Sequence, residues 1–225
     1  MKLKILEHKK INSNTFCLKW EKPKDLFFYP GQYLDINLPI QDLDKRGKTR
    51  GFTIAASPTE DYLMTCYRVG ISDFKTHLNI LKKGEVVESS SPVGTFILDE
   101  TEPTVFFAGG IGITPFRSMI KYALDKKLKI PITLIYSNHN AEFVFKDELD
   151  KWQKEYKKLK IIYINTSKEG RLDVKKLKAL YPIHHTLYTL YYLAGPQSMI
   201  NDFTEILKEH GVDEINIRID PFDGY

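Results

Sequence analysis

Cysteine is scarce in this 225-residue chain: only Cys17 and Cys66 occur, and neither belongs to a C-x-x-C pair. An iron–sulfur cluster or a structural zinc therefore has no thiolate ligand set here, and no metal is expected. Two widely spaced cysteines in a lysine-rich chain are expected as reduced core thiols rather than as a disulfide. Long apolar runs are also missing. No stretch reaches the roughly 18 apolar residues of a membrane-spanning helix. The opening "MKLKILEHKK" is charged and alternating, unlike the apolar core of a signal peptide. These absences point to a cytoplasmic protein. Nor does one sign of charge dominate: 33 basic and 29 acidic residues leave a net +4, with the lysines scattered. That excludes the dense basic stripe of a nucleic-acid binder and leaves a mild preference for anionic nucleotides or acidic partners.

What is present falls into two rhythms. Over residues 1–100 the segments "LKILEHK", "NTFCLKW", "QYLDINL", "RGFTIAA", "YLMTCYRV" and "GEVVESS" alternate apolar and polar residues, with Pro, Gly, Asn and Asp between them. Six short strands without room for crossover helices predict an antiparallel β-barrel. One helix interrupts it: "SDFKTHLNILKK" has Ser72 as N-cap and places Phe74, Leu78 and Leu81 on one face. Over residues 101–225 apolar strands alternate with amphipathic helices, from "TVFFAGG" through "PITLIYS", "LKIIYINT" and "LYYLAG". This alternation predicts a doubly wound α/β domain on a parallel sheet. The segment "DETEPT", residues 99–104, is the expected hinge.

The chemistry-bearing stretches sit at strand ends. "AGGIGITPF" puts Gly109, Gly110 and Gly112 after a strand, with Thr114 and Pro115 opening a helix. Such a turn either holds a phosphate or flat ligand, or is simply a tight strand-to-helix connection. "YLAGPQSM" repeats the pattern with Gly195, Pro196 and Met199, again with proline read as the first helical residue. Two glycine turns at one carboxyl edge favour the ligand reading, because open α/β sheets bind there. In the first domain, "TRGFTIAASP" offers Arg50 and Phe52 at period two, with Thr53 beside them. "GISDFKTHL" offers a helix N-terminus with Gly70, Ser72 and Lys75.

"RGFT", "GISDFK", "SPVGTF", "AGGIGITPF", "AGPQSM" and the terminal "FDGY" follow the order and spacing of the ferredoxin–NADP(+) reductase-like flavoprotein family, which the chain resembles over nearly its whole length. The resemblance implies an FAD-binding barrel followed by an NAD(P)-binding α/β domain. It also implies an NAD(P)H-dependent oxidoreductase that passes electrons to a one-electron carrier. By the same resemblance Arg50 meets the flavin phosphate, Phe52 stacks on the isoalloxazine where the family usually has Tyr, and Thr53 lies near flavin N5. Gly70, Ser72 and Lys75 match the pyrophosphate site. Gly109, Gly110, Gly112, Thr114 and Pro115, with Gly195, Pro196 and Met199, match the nicotinamide turns. Ala194 departs from the Cys often found at its position. Tyr225 resembles the terminal aromatics that cover the flavin in some members, and Phe222 is its alternative. Asp220, or Asp223, is then a candidate proton relay, with Thr53 and Tyr225 the other catalytic candidates. A plain edge-packed tail is the competing reading.

For the nicotinamide cofactor, no acidic residue follows "TLIYS" to grip a ribose 2′-hydroxyl. Ser167, Lys168 and Arg171 in "NTSKEGR" offer a 2′-phosphate site or a merely solvated basic loop. NADPH is therefore read ahead of NADH. Ferredoxin or flavodoxin leads as acceptor, with a small molecule next. The alternatives are a reductase subunit of a larger oxygenase or dehydrogenase complex, and a nucleotide-sensing module without turnover.

Overall fold

The computed structural model describes residues 1–41, 45, 47–173, 175–177 and 188–222. By its internal contacts the chain forms two compact units. The first comprises Met1–Leu98 with Arg117–Tyr122, and the second Asp99–Phe116 with the described residues from Ala123 to Phe222.

The first unit is a six-stranded antiparallel sheet of β1 (Lys2–Lys10), β2 (Thr15–Glu21), β3 (Tyr33–Asn37), β4 (Thr49–Thr53), β5 (Tyr62–Arg68) and β6 (Val86–Ser89). Its order is β4-β3-β6-β1-β2-β5. All six segments read as strands in the sequence are strands. Just past β4 the Ala55 N–H donates to the Met64 carbonyl at 2.7 Å, so the backbone continuing from one edge meets the other edge strand. Alternation sends Leu3, Ile5, Leu18, Trp20, Leu34, Ile36 and Leu63 fully inside. The buried Trp20 indole donates to Thr65 Oγ1 at 3.0 Å, which satisfies its one polar atom. Helix α1 (Asp73–Ile80) is capped by Ser72, whose Oγ accepts from the Lys75 N–H. It ends four residues before Gly84, in an extended Leu81 rather than at the glycine.

The expectation of reduced thiols is corrected: Cys17 and Cys66 are bonded to each other. The reason is register. They are direct cross-strand partners in the β2–β5 ladder, a pairing that composition and spacing do not reveal.

The second unit contains β7 (Thr104–Gly109), the two ends of α2 (Ile113–Asp125), whose middle, Arg117–Tyr122, belongs to the first unit, β8 (Ile132–Asn138), α3 (Lys146–Glu155), β9 (Leu159–Asn165), α4 (Thr166–Glu169), β10 (Leu190–Gly195), α5 (Gln197–Glu209) and β11 (Ile217–Pro221). The five strands form one sheet in the order β11-β10-β7-β8-β9, every pair parallel. β7 and β10 are buried along their whole length, which explains their unbroken apolar runs. Val105, Phe107, Tyr191 and Leu193 pack under Ile200, Phe203 and Leu207 of α5. Phe106 stacks on Phe116, centroids 4.6 Å apart, and meets Tyr192 edge-on. The helix read from "DVKKLKALY" lies partly outside the described residues, as do Asp223 and Tyr225 of the tail. Among the described residues no helix is long and apolar enough to cross a membrane.

Candidate functional site

In the first unit, β4 and α1 bring their predicted residues together. The Phe52 ring stacks on Phe74 of α1 at 5.8 Å, and the Arg50 guanidinium carbon lies 5.4 Å from the centre of the same Phe74 ring. Phe74 was read only as core, yet it orients both candidates. Arg50 is further held by donating to the Gly47 and Thr49 carbonyls at 2.9 and 2.8 Å. Thr53 is buried at the end of β4. The Lys75 side chain folds over Gly70, its Cδ 2.8 Å from where a methyl on that residue would lie. The first turn of α1 thus carries the helix's N–H dipole, the Ser72 cap and Lys75.

The same unit holds an ion pair that sequence reasoning missed. Arg117, 1% exposed, donates to both carboxylate oxygens of Glu60 at 2.9 and 3.2 Å and to the Ala55 carbonyl at 2.9 Å. Tyr62 O–H and the Ser57 N–H also donate to Glu60. Burial alone pushes Glu60 toward its neutral form. The bonds and charge of Arg117, with those of Tyr62 and Ser57, outweigh it and hold the carboxyl below its usual value. Ser118 Oγ donates to the Ala56 carbonyl beside this pair. The segment just after β4 is therefore fixed by two consecutive side chains of α2.

In the second unit both glycine turns meet. A methyl on Gly112 would lie 2.2 Å from the Ala194 carbonyl oxygen, and one on Gly195 would lie 3.0 Å from Gly109 Cα. A methyl on Gly109 would lie 2.5 Å from Met199 Sδ and 2.9 Å from Pro196 Cδ. The two strand ends touch through absent side chains. β7 leads onward to β8 and β9, whereas β10 leads to β11 on the other side, so this contact is the sheet's switch point, where open parallel sheets bind ligands. Gly110 has φ +57°, which favours glycine, and its carbonyl accepts from the buried Tyr136 hydroxyl at 3.0 Å. Thr114 Oγ1 donates back to the Ile111 carbonyl. Pro115 lies in the first turn of α2, which begins two residues earlier, at Ile113. Pro196 is the N-cap of α5 rather than its first helical residue, because its ψ of 139° is extended.

β11 delivers the tail to the same edge. Asp220 pairs in register with Ala194, and the Phe222 N–H donates to the Gly195 carbonyl at 2.9 Å. Burial pushes the Asp220 carboxyl up to about 6. Tyr225 lies outside the described residues.

Ser167, Lys168 and Arg171 follow β9, all of them short of the interior. The Ser167 hydroxyl donates to Asn165 Oδ1 at 2.8 Å, and Glu169 folds back to accept from the Asn165 N–H. Lys176 donates to the Glu169 and Arg171 carbonyls and so shapes the loop. Neither Lys176 nor Glu169 was singled out in the sequence. Among the described residues no group of three His, Cys, Asp or Glu side chains could hold a metal.

Residues 106–205 match the family model described as the oxidoreductase NAD-binding domain. Flavohemoprotein A of Dictyostelium discoideum is 26% identical over 241 residues, covering 97% of this chain and 59% of that protein. The flavohemoprotein of Bacillus subtilis (strain 168) is 30% identical over 224 residues, covering 91% and 54%. The chain thus spans little more than half the length of these curated relatives. Among solved structures, ferredoxin–NADP+ reductase from Plasmodium falciparum superposes with a TM-score of 0.84 at 19% identity, covering 98% of this chain and 95% of that one. The FAD/NAD binding domain of nitric oxide dioxygenase from Vibrio cholerae gives 0.82 at 18% identity, covering 99% and 98%.

Proposed function

We propose that this chain, a ferredoxin–NADP(+) reductase-like module, binds FAD on its first unit and NAD(P)H on its second and works as an oxidoreductase. The observation that carries the reading is the contact of the two glycine turns at the switch point of the parallel sheet, which only residues without Cβ allow. The fit to both groups is physical. The α1 N-terminus, Ser72, Lys75 and Arg50 suit a dinucleotide's phosphates, and Phe52 offers a flat apolar face. Gly109, Gly112 and Gly195 let the two turns pack together with bare backbone at the carboxyl edge, where a planar ring can approach the main chain.

When bound, the flavin supplies hydride acceptance from the nicotinamide and one-at-a-time electron release. The chain's own residues bind and orient. Arg50 neutralises phosphate charge, and Phe74 holds Arg50 and Phe52 in place. Thr53 offers a hydroxyl at the end of β4. Asp220, whose carboxyl burial pushes up to about 6, can hold a proton in mildly acid solution at the glycine edge, and Phe222 is tied to the same edge through Gly195. Ser167, Lys168 and Arg171 favour NADPH, since a 2′-phosphate needs cations that a 2′-hydroxyl does not.

The acceptor is a separate one-electron carrier, with ferredoxin or flavodoxin as the first candidate. A haem protein is the second reading, favoured by relatives named flavohemoproteins that are nearly twice as long. Anaerobic mixing with NADPH, then NADH, should bleach the oxidised-flavin bands, with heat-released cofactor chromatographing as FAD. A chain that takes up no flavin overturns the proposal, and release of FMN alone overturns the FAD assignment.

A further inference from the structure

We infer that Met199 is an oxidation site, and that its sulfoxide closes the nicotinamide slot; the second half rests on the function proposed above. The chain has four methionines. Met64 is 4% exposed and Met119 fully buried, so a solution oxidant reaches neither easily. Met199 is part-exposed in the first turn of α5, and the other part-exposed methionine, Met1, begins the chain. Both cysteines are bonded to each other, so no free thiol competes for an oxidant.

The position of the sulfur gives oxidation its consequence. The Met199 thioether lies across both glycine turns, with Sδ 2.5 Å from a methyl built on Gly109 and Cε 2.9 Å from one built on Gly195. On that side the thioether packs directly on the bare glycine backbone. The Pro196 ring closes a further side, its Cδ 2.9 Å from the same Gly109 methyl. An oxygen placed on Sδ therefore points away from both turns or makes the side chain rotate off them. Either result replaces an apolar, polarisable floor by a polar and chiral one. The oxidant is hydrogen peroxide, formed when dioxygen takes the electron pair meant for the acceptor. One oxygen atom passes from peroxide to Sδ: the O–O bond breaks, an S–O bond forms, the sulfur loses two electrons and water leaves.

The test treats the flavin-loaded chain with hydrogen peroxide and maps oxygen gain peptide by peptide. Met199 should oxidise well ahead of Met64 and Met119, with Met1 as an accessible standard. The KM for NAD(P)H should rise roughly two- to tenfold, the size of one lost sulfur–ring contact, with a smaller change in kcat. Methionine sulfoxide reductase should reverse the rise. A Met199→Leu variant, compared with itself before and after peroxide, should show no change in KM. Oxidation of Met199 with KM unchanged overturns the inference, as does a KM rise that persists in Met199→Leu. If the untreated chain oxidises neither NADH nor NADPH, the proposed function fails, while the order of oxidation among the four methionines still upholds or refutes the site.

Discussion

Glu60→Ala isolates the energetics of the buried pair. The substitution leaves the Arg117 guanidinium, 1% exposed, without both of its carboxylate bonds while keeping it inside. Removing one member of a buried pair costs about 3–5 kcal/mol, since the survivor is an uncompensated charge. Against a total stability of about 5–15 kcal/mol this is a large fraction. At about 2–4 °C per kcal/mol for a chain of this size, the midpoint should fall by roughly 6–20 °C. Calorimetry of the flavin-loaded chain at neutral pH reads it directly. The double variant Glu60→Leu with Arg117→Met should recover most of the loss, because similar volume remains and neither charge is buried. A pH series adds a signed check. Glu60 is held below its ordinary value near 4.5, so its stabilisation is complete above that pH and is lost as pH falls through the lower folded value. Glu60→Ala should be flatter over that acid range than the parent. A midpoint within about 3 °C of the parent, or a double variant no more stable than either single one, would refute the reasoning.

Arg50→Ala should weaken flavin binding about 10- to 100-fold, since a charged phosphate contact contributes about 1.5–3 kcal/mol; flavin retention on gel filtration and titration of the apoprotein measure it. Replacing Lys168 and Arg171 by Ala should raise the KM for NADPH and leave that for NADH nearly alone, and equal effects would return them to a solvated loop. Asp220→Asn should alter the pH dependence of stability. The parent carboxyl has a folded value of about 6 against an ordinary 3.8, so its favourable contribution is full below about pH 4 and lost as pH rises through about 6. With partial exposure discounted, that amounts to roughly 1–3 kcal/mol, and denaturant melts from pH 4 to 7 should flatten in Asp220→Asn.

Periodicity made the elements legible, because alternation and the 3.6-residue repeat are local properties. The six strands of the first unit and the strand–helix alternation of the second follow from it. The glycine turns were legible as well, since Gly109, Gly112 and Gly195 sit where strands run into helices. Contacts between distant segments were not. Cys17 and Cys66 needed the β2–β5 register, and Glu60 and Arg117 are 57 residues apart. In "SPTED" the glutamate reads as a turn residue, and in "PFRSM" the arginine reads as the polar face of a helix. Phe74 looked like ordinary core because sequence pattern assigns a face and says nothing of the Arg50 and Phe52 side chains that share it. Pro196 was misplaced by one residue because a proline tolerates both an N-cap and a first helical position, and only ψ separates them.

The Cys17–Cys66 bond makes the chain between them a closed ring. That ring carries β3, β4 and the connection between them, with Lys45 and Lys48 on the connection. A protease that cuts after either lysine opens the ring without releasing a fragment. The two pieces remain one covalent molecule that separates on a gel only after reduction. Tethered in this way, the cut ends stay at the high effective concentration of an intramolecular pair, so β3 and β4 can re-form their ladder after unfolding. Nicked protein that refolds in oxidant but not in reductant would be the biochemical signature of that ring.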